Sequence, residues 1–271
     1  WLTGIDFNAL DTSSVEDMSS MLMGCTNLIS INFGTSFNTQ NVTNMASMFA
    51  DCCSLESLDL STFDTSNVTD MSFMFSGLTL TELDLLNFNT SSVTDMSYMF
   101  ISCAELTSLN LSSFNTENVE DMSNMFDSCS TITKLDLSNF KTPNLTSTNS
   151  MFMSCSSLTS VNVSSFDTSN VTNMGSMFMS CSALSELKLS NFNTENVYNG
   201  MVEMFSFCEK LVSLDISNFH IEGRSGASDM LNWCRALKTL KAPKYISSFA
   251  SITLPTTADG YFYASTTDKE T

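Results

Sequence analysis

The chain has 271 residues, 42% of them hydrophobic, which supplies a sizeable core for one large domain or two ordinary ones. Only 14% of residues are charged, yet the net charge is −19 and no Lys or Arg precedes Lys134, a balance that repels nucleic-acid phosphates and anionic membrane surfaces. There is no run of about 20 apolar residues to span a membrane, and no basic-then-apolar leader opens the chain.

In chain order, the elements follow one repeat. The stretch WLTGIDFNA (1–9) fits the tail of a preceding unit, with Leu2, Ile5 and Phe7 in its three apolar slots. Nine units then begin at Leu10, Phe37, Phe63, Phe88, Phe114, Phe140, Phe166, Phe192 and Phe219, most of them 26 residues apart. Each reads approximately F-[ND]-T-x-N-V-x-[DN]-M-x-x-M-F-x-x-C-x-x-L-x-x-L-x-L-S-x. Within a unit, Val68, Met71, Met74, Phe75 and Leu78 step by three and four, which predicts a short helix. Leu55, Leu58 and Leu60 end on an alternating step, which predicts a short strand. Two late units depart from the pattern: Gly200 is inserted, and Gly223, Arg224 and Gly226 replace the usual polar columns. After Pro243 the pattern stops. Residues 1–243 therefore read as one solenoid, and 244–271 as a C-terminal cap and polar tail.

The expected architecture is an α/β repeat: a right-handed leucine-rich-repeat solenoid of about nine helix/strand units forming one continuous parallel sheet. At about 4.8 Å per stacked strand, nine units span roughly 45 Å. The units FNTQNVTNMASMFADCCSLESLDLS and FDTSNVTNMGSMFMSCSALSELKLS resemble the BspA-like leucine-rich repeats of bacterial surface proteins. They are most similar to the subtype found in mycoplasma and lactobacillus surface proteins. The resemblance covers residues 2–242. It implies an extracellular or cell-surface solenoid used in adhesion and protein binding, without catalytic residues.

Several columns invite a functional reading. Sixteen of the 19 methionines fall in two columns on the apolar face, which marks them as core. Cysteine recurs at 25, 52, 103, 129, 155, 181, 208 and 234, with Leu78 in the slot of the third unit. That substitution favours buried free thiols, although disulfides between neighbouring units and a thiolate metal ladder also fit a column. Neither a CxxC pair nor a second column of His accompanies it, which argues against zinc. Cys53 lies outside the column and is the most accessible thiol expected. The recurrent Thr (12, 39, 65, 90, 116, 142, 168, 194) and Asn (41, 67, 118, 144, 170, 196) read as fasteners of the turn before each helix. The Asp/Asn column (17, 44, 70, 95, 121, 173, 199) reads as a helix-start charge, with a calcium ladder as its functional rival. Seven N-x-[ST] sequons follow mostly from the consensus and say little about glycosylation.

A partner would meet the outward positions between the leucines of each strand. The candidate binding residues are Ser57, Asp59, Glu82, Asp84, Ser108, Asn110, Lys134, Asp136, Ser160, Asn162, Glu186 and Lys188. No aromatic anchor stands among them. Arg224, Arg235, Lys238, Lys241 and Lys244 gather late, so charge is polarised along the axis. The function expected is a non-enzymatic adhesion or protein-interaction module at the cell surface, with a structural building block of a surface layer or filament as the alternative. The expected partners are a protein or extracellular-matrix ligand, or further copies of the chain. Nucleic acid, membrane insertion, metal and cofactor are not expected. A single His and the lack of an asymmetric nucleophile–base arrangement argue against an enzyme.

Overall fold

The computed structural model describes residues 1–198, 200–221, 227 and 229–243, together with the backbone of 263–264. The expected cap and tail otherwise lie outside the described residues, as do Asn199, Gly223, Arg224, Gly226 and Lys244. The chain winds as a parallel solenoid whose strands are β1 (Gly4–Asp6), β2 (Ser30–Asn32), β3 (Lys134–Asp136), β4 (Ser160–Asn162), β5 (Glu186–Lys188), β6 (Ser213–Asp215), β7 (Thr239–Lys241) and β8 (Tyr263–Ala264). Every pairing is parallel, with Ile5 opposite Ile31 and Leu187 opposite Leu214.

Two expectations need correction. Among the described residues there is no helix. The segment expected to be helical is a ribbon of tight turns. The amides of Met18, Ser20, Leu22 and Gly24 donate to the carbonyls of Asn44, Ala46, Met48 and Ala50 in the next coil at 2.8–3.0 Å. Between them, the amides of Met21 and Cys25 donate to Met18 O and Leu22 O, three residues back in the same coil. Each such turn carries a left-handed residue at its third position: φ is 56° at Ser20, 73° at Gly24, 58° at Ser47 and 59° at Asp51. This is type II turn chemistry, for which Gly, Asn, Asp and Ser are suited. Two successive turns point residues i, i+3, i+4 and i+7 into the core, so they satisfy the same apolar spacing as a helix. The backbone donors that an α-helix would use internally are committed to the neighbouring coil.

The absence of helices also sets the stacking. Helices pack 8–10 Å apart, whereas parallel strands pack at about 4.8 Å, so a helix on one flank of each coil would splay the stack. Here the second flank is bridged coil to coil as well, from Asp17 through Asn44, Asp70, Asp95, Asp121 and Ser147 to Asn173. Side chains therefore stack in columns. Phe49, Phe75, Phe100, Phe126, Phe152, Phe178 and Phe205 form one fully buried ladder with ring centroids 5.3–6.0 Å apart. The methionine columns are buried beside it, as expected, with Met21 of the first unit only partly so.

The second correction concerns the sheet, which is not continuous. It falls into β1–β2, β3–β4 and β5–β8, and the equivalent segments Ser57–Asp59, Glu82–Asp84 and Ser108–Asn110 form no strand. The unit at this break is one residue short. Leu78 and Leu80 are two apart where Cys52 and Leu55 are three apart, so the lead-in to the strand is truncated.

Candidate protein-interaction face

The fasteners work between coils rather than within a turn. Thr39 Oγ1 donates to Asp64 O at 2.9 Å and accepts from Asp64 N at 2.7 Å, a reciprocal clamp onto the following coil. Thr12, Thr65, Thr90, Thr142 and Thr168 repeat it. The Asn column points the other way: Asn67 Nδ2 donates to Gln40 O at 2.7 Å, in the preceding coil. The Asp/Asn column starts no helix. Asp17, Asn44, Asp70, Asp95 and Asp121 each use Oδ1 to accept the amide two residues on, at 2.7–2.9 Å, which opens the turn ribbon. Either Asp or Asn can do this, so the two interchange. Among the described residues no three His, Cys, Asp or Glu groups converge on a point that could hold a metal.

All nine cysteines are free thiols. In the column, Sγ donates to the backbone of the preceding coil, as from Cys129 to Phe100 O at 3.1 Å. Burial pushes the thiols of Cys103, Cys155 and Cys234 up to about 12, so they stay protonated and unreactive. Cys53 is exposed, as the sequence suggested, and Cys25 is half-buried.

All twelve candidate binding residues are exposed on the strand flank. They do not form one surface of uniform character. Ser57, Glu82, Asp84, Ser108 and Asn110 line a concavity of about 510 Å³, together with Glu56, Leu58, Leu80, Thr81, Leu83 and Leu86. This concavity sits where the strand ladder is missing. Ser160, Asn162, Glu186 and Lys188 line a second concavity, about 390 Å³, between β4 and β5, where the ladder is also broken. Asp59, Lys134 and Asp136 line neither.

Part of this set is structural. Asp59, Asp84, Asn110, Asp136 and Asn162 each spend Oδ1 on the amide two residues ahead, at 3.0–3.2 Å. The Ser61 and Ser138 contacts hold the Asp59 and Asp136 carboxyls below the usual range. Ser57, Glu82, Ser108, Glu186 and Lys188 make no side-chain hydrogen bond or ion pair with other described residues, so they are available to a partner.

Sequence reasoning missed the apolar floor of the larger concavity. Leu86 stands where neighbouring units carry Ser, and it is 53% exposed beside Leu58, Leu80 and Leu83. The signal was present in the 25-residue spacing of that unit.

The family described as "Mycoplasma protein of unknown function, DUF285" matches residues 2–105, 78–161 and 159–242. No curated protein matches the chain. Among solved structures, a leucine-rich repeat protein from Bacteroides ovatus is 16% identical, with 90% of this chain and 73% of that one covered and a TM-score of 0.43. A leucine-rich cell surface protein from Faecalibacterium prausnitzii is 18% identical, covering 92% and 74%, with a TM-score of 0.44. An internalin from Listeria monocytogenes is 16% identical, covering 87% and 69%, with a TM-score of 0.34.

Proposed function

The chain belongs to the family described as Mycoplasma protein of unknown function, DUF285, and from that premise we propose that it is a non-enzymatic adhesion or protein-interaction module displayed at the cell surface. Its partner is a protein or extracellular-matrix component that lies across the strand flank. The observation that carries this reading is the 510 Å³ concavity at the break in the ladder. It combines a leucine floor with Glu56, Glu82 and Asp84, and every Lys and Arg of the chain lies at position 134 or beyond. A basic, partly apolar segment fits such a groove: the leucines supply area removed from water, and the carboxylates supply steering and register. The surface placement rests on the likeness of the repeat units to those of bacterial surface proteins. Among the described residues no helix is long and apolar enough to cross a membrane.

The test is a binding panel of immobilised extracellular-matrix proteins, comparing the natural chain with Glu82→Lys/Asp84→Lys. At least one matrix protein should bind, and the double substitution should weaken it about tenfold or more. A panel with no binder, or a binder indifferent to both substitutions, would overturn the reading.

A further inference from the structure

Two left-handed turn positions recur in every coil. The first is occupied by Ser20, Ser47, Phe73, Tyr98, Asn124, Ser150, Ser176, Glu203 and Asp229. The second is occupied by Gly24, Asp51, Gly77, Ser102, Ser128, Ser154, Ser180, Phe207 and Trp233. Most of these residues are small or polar, as a positive φ demands. The four aromatics are exceptions, and they come as two pairs in consecutive coils. The strain of two bulky residues in this conformation exceeds what the stacking of one aromatic pair returns. Stability alone therefore does not account for them.

The pairs are built alike and differ in what covers them. Phe207 and Trp233 stack with centroids 5.8 Å apart and planes within 8°, and the Arg235 guanidinium lies over the Trp233 ring at 4.0 Å. The molecule thus supplies its own cation to that pair. Phe73 and Tyr98 stack more closely, at 4.3 Å and 4°, with Phe73 37% exposed and Tyr98 half-buried. Their neighbours in the column, Ser47 and Asn124, carry no ring, so the stack is two deep. Asp70 and Asp95 sit three residues before the two aromatics, their Oδ1 atoms on the amides of Ser72 and Ser97. No Lys or Arg occurs in this half of the chain to play the part of Arg235.

We propose that the Phe73–Tyr98 stack is an arginine-docking point, which takes the guanidinium of a basic segment on a partner protein as Trp233 takes that of Arg235. A guanidinium is planar and weakly hydrated and stacks on a ring face, whereas an ammonium is a compact, strongly hydrated charge. Arginine is therefore preferred over lysine. This surface lies on the turn ribbon and stands independently of the strand-flank groove.

Calorimetric titration of the full chain with a short peptide of alternating Gly and Arg, and with its Gly–Lys twin of equal length, tests the proposal. The Arg peptide should bind about tenfold more tightly than the Lys peptide. Phe73→Ser/Tyr98→Ser, which installs the residue most common in that column, should abolish this preference and leave the melting temperature unchanged or raised. Glu82→Lys/Asp84→Lys should weaken both peptides and leave their ratio intact, which separates this stack from the groove. Equal binding of the two peptides to the natural chain overturns the proposal. So does a preference that survives the removal of both rings. If the double variant does not fold, Phe73→Ser alone carries the same comparison.

Discussion

At the scale of single residues, the repeat assigns each polar side chain a bond that recurs in coil after coil, and the exceptions become informative. Thr148 is one. It occupies a slot held by methionine in most units, it is fully buried, and its hydroxyl has no hydrogen-bond partner among the described residues. An unsatisfied buried hydroxyl costs about 1–3 kcal/mol, whereas an isosteric apolar group there costs nothing of the kind. Thr148→Val should therefore stabilise the protein by about 1 kcal/mol, read as a rise of about 2–4 °C in melting temperature. An unchanged or lowered melting temperature would show that the hydroxyl is satisfied in solution. The chemistry of the Thr and Asn columns was legible from their recurrence. Their direction was not, because one unit read alone does not say which coil lies above it and which below.

At the scale of elements, the helix expected over Val68–Leu78 and its equivalents is a ribbon of turns. Apolar spacing reports which residues face the core and is silent on where the backbone amides go. Serine and aspartate at the left-handed positions were the available signal, since both favour turns over helix interiors. The inserted Gly200 is explained at this level too. Its carbonyl accepts from Met174 N at 2.6 Å, the bond that Asn173 O accepts from Thr148 N one coil earlier, so with the insertion it is the glycine carbonyl that receives this coil-to-coil bond. A Cβ at Gly200 would lie 2.7 Å from both Asn173 Cα and Thr172 O, where only backbone could yield. Gly200→Ala should cost about 1–3 kcal/mol, seen as a lower melting temperature. Gly24→Ala is the contrast: a Cβ there meets nothing within 4 Å, and only the positive φ of 73° penalises it, by about 1 kcal/mol. Equal losses at the two sites would show that contact with the neighbouring coil is not what selects glycine at 200.

For the whole molecule, the net charge of −19 and the many carboxylates fastened to backbone amides pull the pH dependence in opposite directions. Ser66 and Ser169 hold the Asp64 and Asp167 carboxyls below their ordinary value through side-chain and backbone hydrogen bonds. Asp11, Asp17, Asp59 and Asp136 are lowered in the same way by serines two residues on. A carboxyl depressed in the folded state stabilises it above the unfolded value, about 3.9, and that stabilisation is lost as pH falls through the folded value. Among the described residues, only the Asp127 carboxyl is pushed the other way, by burial. Mutual repulsion among exposed carboxylates is screened beyond about 8 Å at physiological salt, whereas the bonds to the amides are local. The melting temperature in such salt should therefore fall between pH 5 and pH 2.5, with most of the loss below about pH 4. A rise over that interval would show that relief of repulsion outweighs the fasteners.

The sequence alone determined the repeat, the register of its columns, the family and the burial of Met, Phe and Cys, because each follows from periodic spacing of apolar side chains. It also marked the strand-flank residues, by their place between leucines. Only the tertiary structure decided that the ribbon is not a helix, that Thr reaches forward and Asn back, and that the sheet opens around residues 57–110. These depend on which coil receives each backbone donor, a relation between units about 26 residues apart that no pattern within one unit contains. The aromatic pairs lie between the two cases. Their residues are plain in the sequence, but their pairing and the guanidinium over one of them exist only once consecutive coils are stacked.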